Sequence, residues 1–203
     1  MKKILSIILL MSCLLCICSC DTVDKVKDKI TGKDDETEGF ANFESAIAAA
    51  SASAVVVEVK TVTKLGELNS KYEVYFSEDT SATIKYYYER FYEIGEGPAD
   101  EIIEKVEGTV YRDKDGNYSE DVGIDVSAIA AATALNIAPL KSTASINEAG
   151  DVLKVTVPKI STANILGSQF ASDVELEMVL RNGKLSTMKL TSATRVISYT
   201  YAA

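Results

Sequence analysis

Residues 174–201 constrain the fold of this chain more than any other stretch. Val174, Leu176, Met178 and Leu180 alternate with Glu175, Glu177, Val179 and Arg181. A period of two is that of a strand with one face buried. Asn182-Gly183 follows, a pair suited to a type I′ turn because both central residues there need positive φ. Leu185 to Thr191 returns, and Arg195 to Tyr201 adds a strand with Ile197, Tyr199 and Tyr201 in step. Successive hairpins predict an antiparallel meander, and the lack of a βαβ rhythm excludes a parallel sheet.

The same pattern runs upstream. Phe40, Phe43 and Ile47 fall at i, i+3 and i+7 with alanines between them and Ala54, which predicts an amphipathic helix. Val55 to Lys64 turns β-branched, and Gly66 with Asn69-Ser70 is expected to break it. Tyr72, Val74 and Phe76 alternate with polar neighbours as a strand. Thr83 to Ile94 is a second, aromatic one, stopped by Gly95-Glu96-Gly97-Pro98. Ile102 to Arg112 reads as a strand, and Asp115-Gly116 as a hairpin turn into Asn117 to Ile124.

The pattern then changes. Asp125 is a good N-cap for Val126 to Ala138, an almost wholly apolar, alanine-rich run that Pro139 ends. A helix apolar around most of its circumference is buried on several sides. Strands are expected at Ser142 to Ile146 and Val152 to Val157, and a short helix at Ser161 to Leu166 with Gly167 as its stop.

Several chemistries are excluded or unsupported. The chain has no histidine, which removes Ser-His-Asp and Cys-His catalysis and imidazole-based zinc sites. No Gly-rich phosphate loop is present. Asp113, Asp115 and Asn117 suggest a calcium loop, but the sixth and twelfth positions hold Tyr118 and Ile124 where an EF-hand needs glycine and glutamate. Glu175 and Glu177, like Glu89 and Glu93, fall where a solvated strand face puts them. The expectation is a protein that is not an enzyme, with no cofactor and no metal.

The first twenty residues set the location. Met1-Lys2-Lys3 is a positive start, Ile4 to Leu15 is apolar except for two serines, and Ile17-Cys18-Ser19-Cys20 closes the segment. Such a leader is a secretory signal peptide, too short for a stable membrane span. Its end resembles the lipobox of bacterial lipoproteins, with an aliphatic residue at −3 (Ile17) and a small one at −1 (Ser19), although Cys18 at −2 is an uncommon choice. The resemblance implies that residues 1–19 are removed and that Cys20 carries a diacylglyceryl group anchoring the protein, extracytoplasmically, to the bacterial cell membrane. All four cysteines lie in or beside this leader, so no disulfide is expected. Residues 20–38 hold the lipidated cysteine and a tether. Eleven of the eighteen residues from Asp21 to Glu38 are charged, as in a solvated spacer. Residues 39–203 are expected to form a single β-rich domain. Loss of Lys2 and Lys3 takes the net charge from −9 to −11, which argues against nucleic acid as a partner.

The element order over residues 40–203 resembles the lipoprotein-carrier fold, the half-open barrel of periplasmic lipoprotein chaperones and lipid-carrying mycobacterial lipoproteins. The resemblance implies an α+β fold: an antiparallel, strongly curved β-sheet (half-barrel) with an N-terminal helix and mid-chain apolar helices packed on its concave face. It implies a cup for a lipid or other apolar ligand. The residues placed there are Ile84, Tyr86, Tyr88, Tyr92, Val174, Leu176 and Met178 of the sheet, with Ile129, Leu135 and Ile137 over them. The same residues suit a solid core equally well. A second function also remains open: a non-catalytic envelope module that recognises a protein or glycan through an outer sheet face bearing Tyr75, Tyr87, Glu89 and Phe91.

Overall fold

The computed structural model describes residues 38–50, 54–64, 66–77, 79, 81–93 and 101–202. Helix α1 occupies residues 38–50. Nine strands follow: β1 (Val55–Thr63), β2 (Gly66–Phe76), β3 (Ala82–Glu93), β4 (Glu101–Arg112), β5 (Ser145–Ile146), β6 (Val152–Val157), β7 (Val174–Arg181), β8 (Lys184–Thr191) and β9 (Arg195–Tyr201). Helix α2 (Val126–Ala131) lies between β4 and β5, and α3 (Thr162–Leu166) between β6 and β7.

All strands join one antiparallel sheet in the order β4-β3-β2-β1-β9-β8-β7-β6-β5. It consists of two meanders, β1 to β4 and β5 to β9, spliced where β1 pairs with β9 from Val55↔Tyr201 to Thr61↔Arg195. The sheet is not closed: β4 and β5 lie at its two ends. The turn between β7 and β8 has the expected form, with Asn182 at φ 53° and Gly183 at φ 73°.

Burial follows the alternation. Val55, Val57 and Val59 of β1, Leu176 and Met178 of β7, and Ile197 and Tyr199 of β9 all face one apolar cluster. Phe40, Phe43 and Ala46 of α1, Ala128, Ile129 and Ala131 of α2, and Ile165 and Leu166 of α3 belong to the same cluster. Lysines, glutamates and threonines occupy most of the opposite face.

Four expectations differ from the structure. The β-branched run does end, at Thr63, but Gly66, Asn69 and Ser70 are not the break and form part of β2, where Gly66 lies opposite Thr63, Asn69 opposite Lys60, and Ser70 opposite both Val59 and Tyr88. Pairing outweighs the weak strand preference of these residues. Asn117 to Ile124 is not a strand. Asp113 accepts from the N–H groups of Asp115 and Asn117 and from the Asn117 amide, and only Tyr118 then bridges back to Arg112. The chain next turns inward, with Gly123 at φ 67° and the Tyr88 hydroxyl donating to the Val122 carbonyl.

The predicted helix Val126 to Ala138 stops at Ala131. In a continued helix Leu135 and Ile137 would point in nearly opposite directions. The irregular chain at 134–137 instead buries both, while the Asn136 N–H donates to the Ile165 carbonyl at 2.8 Å. A 3₁₀ turn, Ala138–Leu140, follows, with Pro139 early in it where no N–H is needed. Finally, the strand expected at Ser142 to Ile146 is reduced to Ser145–Ile146, since Thr143 and Ala144 donate back to the Leu140 carbonyl in a turn.

Candidate functional site

The residues expected to form an apolar site separate into groups. Ile84, Val174, Leu176, Met178, Ile129, Leu135 and Ile137 lie together in the buried cluster. Tyr86 packs against its edge half-buried. Its ring crosses Gly108 of β4, where a Cβ would fall 2.5 Å from the tyrosine oxygen, so that position must be glycine for the ring to lie there. Tyr88 is buried but stands outside the cluster, beneath the 122–123 turn; its ring centroid is 6.0 Å from that of Tyr86. The side chain of Tyr92 lies outside the described residues, as do Cys20, the leader and residues 20–37.

Two surface clefts flank α1. One, of about 250 Å³, runs between Ile47 and Ala48 of the helix and Leu135, Asn136 and Ile137. The other, of about 260 Å³, lies between Ala46, Ala49 and Ala50 on the helix and Leu185 and Tyr201 on the sheet, with Lys184 at its edge. Leu135 and Ile137 belong to both the first cleft and the core, and Leu185 and Tyr201 to both the second cleft and the core. Each cleft is small beside the few hundred Å³ and more that enclose a typical ligand.

A polar cluster fastens α2 to the sheet. Asp125 caps the helix by accepting from the Ala128 N–H, and its carboxylate also accepts from the Ser127 hydroxyl. The second oxygen pairs with the Arg195 guanidinium of β9. The Asp125 N–H donates to the Tyr72 hydroxyl oxygen at 3.0 Å, and the Tyr199 hydroxyl donates to the Ala128 carbonyl at 2.8 Å. Arg195 lies over the Phe170 ring, 5.8 Å from its centroid, in cation–π range. Of this cluster the sequence pointed only to Asp125. The available signal for Arg195 was a lone arginine in step with Ile197, Tyr199 and Tyr201 on the buried face of β9.

Loss of water on burial raises the pKa of four tyrosines, Tyr72, Tyr118, Tyr199 and Tyr201. Tyr199 stands well above the ordinary value of 10.0, first from loss of water and then from the neighbouring Tyr201 and Asp125. Tyr201 is pushed up by burial alone. Tyr72 is raised by burial, against the opposing effect of its bond to the Asp125 N–H. A tyrosine harder to ionise when folded stabilises the fold fully below its unfolded value, and that stability is lost as pH rises toward the folded value. Absorbance at 295 nm is therefore expected to show Tyr72, Tyr199 and Tyr201 ionising only above the ordinary tyrosine range, in a cooperative step with unfolding. Tyr199→Phe should shrink that step. Smooth titration of all ten tyrosines without it would contradict this assignment.

The outer face is more occupied than its composition suggests. Tyr75 is 44% exposed, with the Lys85 ammonium 5.5 Å from its ring centroid and its hydroxyl donating to Glu73. Tyr87 donates to Glu89, which also accepts from both nitrogens of Asn69. Tyr87, Glu89 and Phe91 are half-buried. Among the described residues no group of three or more acidic or cysteine side chains could hold a metal ion, and no helix is long and apolar enough to cross a membrane.

No family model matches the sequence, and no curated protein matches it. Among solved structures, the crystal structure of LprF from Mycobacterium bovis is similar over 82% of this chain and 92% of that one, with a TM-score of 0.43 and 8% identity.

Proposed function

We propose that this chain is an extracytoplasmic lipoprotein, anchored through a diacylglyceryl group on Cys20, that holds a lipid or other apolar ligand between its sheet and its helical cover. Residues 20–38 act as the tether and 39–203 as the ligand-holding domain, with the covered sheet face as the concave wall of a half-barrel. The observation that carries this reading is the pair of clefts flanking α1, each sharing side chains with the buried cluster. A modest outward movement of α1 would merge them into one apolar space above Leu135, Ile137 and Leu185. Such a space needs no catalytic group, only apolar walls.

Native mass spectrometry of the full chain, purified in detergent before and after organic extraction, tests the cargo. A lipid-mass adduct beyond the covalent anchor, removed by extraction, is the expected result. Leu135→Trp fills the cleft and should lower occupancy of the folded protein by about threefold or more, at a stability cost of about 1–3 kcal/mol. A single mass in both preparations would rule out a carried lipid and turn attention to the outer face around Tyr75. The anchor is tested separately, by incorporation of an alkyne-bearing fatty acid in the wild type and its loss in Cys20→Ala.

A further inference from the structure

We infer that β4 is a pairing edge for a second copy of this chain, joined antiparallel about Val106. Strand β4 ends the sheet, and no described strand pairs with its outer side. It is twelve residues long, whereas the opposite edge strand, β5, has two. The inward turn of the chain after Tyr118 leaves the outer side of β4 uncovered by that segment. A long open edge of this kind is a template for another strand.

The backbone shows which residues would bond. Tyr111 turns both its groups outward: its N–H donates to the Ser119 hydroxyl and its carbonyl accepts from the Ser119 N–H. Antiparallel strands alternate bonding direction residue by residue, so Ile103, Lys105, Glu107 and Thr109 also present their N–H and C=O groups to the open side. Their side chains are all exposed on the outer face, Ile103 at 50%. Tyr111, already bonded to Ser119, closes the free stretch.

Charge then selects the register. Pairing centred on Lys105 would set two lysines opposite each other, and pairing centred on Glu107 two glutamates. A centre at Glu104 brings Glu107 against Glu101. A centre at Gly108 pairs Lys105 with Tyr111, whose backbone is taken. Only a centre at Val106 places each Lys105 opposite the partner's Glu107, with Ile103 opposite Thr109, and all four are hydrogen-bonding positions. Single charges are the usual way of keeping an edge apart; here they are spaced so that two copies satisfy one another. The partner is thus a second copy, and the ligand reading is not required for it.

Two differently tagged full chains, made in the same cells and purified in detergent, provide the test. Wild-type copies should capture one another. Lys105→Glu paired with itself faces four glutamates, and Glu107→Lys paired with itself faces four lysines. Each should lose capture by about tenfold or more, since like charges directly opposite destabilise a pair. Lys105→Glu mixed with Glu107→Lys should recover it, because every opposing position is again complementary, and that recovery shows both variants to be folded. Absence of wild-type capture overturns the proposal. Equal capture in every combination overturns it too, by assigning association to another surface or to a shared micelle.

Discussion

Phe43→Ala is expected to lower the free energy of unfolding by about 3–5 kcal/mol, the range for removing a large aromatic from a closed core. Phe43 is fully buried and, with Phe40 and Ala46, supplies the face that α1 contributes to the apolar cluster. Its neighbours on the outward side, Glu44 and Ser45, are exposed. The helix therefore bears on the sheet along one stripe, with a cleft on either side of it. Urea titration followed by far-ultraviolet circular dichroism measures the loss. A fall in midpoint with an unchanged slope would mean that α1 unfolds with the sheet. A loss below about 1 kcal/mol would mean that α1 separates from the sheet at little cost. In that case bound lipid, if present, should restore much of the stability by mass action.

The second large effect is expected at Asp125. Asp125→Ala removes the cap of α2, worth about 0.5–2 kcal/mol, and leaves the Arg195 guanidinium without its carboxylate. Breaking a fully buried pair costs about 3–5 kcal/mol. Here the two side chains remain 23% and 24% exposed, so water takes over part of that interaction. The expected total is about 2–4 kcal/mol, combining both contributions. Arg195→Leu on its own strands the acid, and the Asp125→Ala, Arg195→Leu double variant should recover part of the summed loss, since it leaves neither charge alone. Strict additivity of the two single variants would show that the pair contributes no coupling.

Much of the strand pattern was legible because one-sided burial writes itself into alternation. Val152 to Val157, Val174 to Arg181 and Arg195 to Tyr201 occur as strands with those bounds. Asn182-Gly183 forms its turn because that conformation is decided by two residues and their φ angles. The Asp125 cap is likewise a property of neighbours in sequence. Ile84, Val174, Leu176 and Met178 were legible as buried for the same reason, whereas Tyr86 is only half-buried, Tyr88 is buried outside the cluster with its hydroxyl on Val122, and the side chain of Tyr92 lies outside the described residues. Helix α2 was overread. Alanine-rich composition reports a willingness to be helical, not the competing bond from Asn136 to Ile165 that draws the chain out of the helix.

By itself the sequence determined where the strands at 152–157, 174–181 and 195–201 lie, which face of each is apolar, and where the Asn182-Gly183 turn and the cap of α2 fall. All of these depend on residues within a few positions of one another. The tertiary structure alone decided that β1 lies against β9, splicing two meanders into one open sheet, and that Arg195 and Tyr199 reach α2 from the far end of the chain. Valine-rich β1 would satisfy any apolar neighbour, so its choice of the last strand rests on what the remaining strands leave unpaired. That is a property of the whole chain folded at once, and no local stretch of sequence carries it.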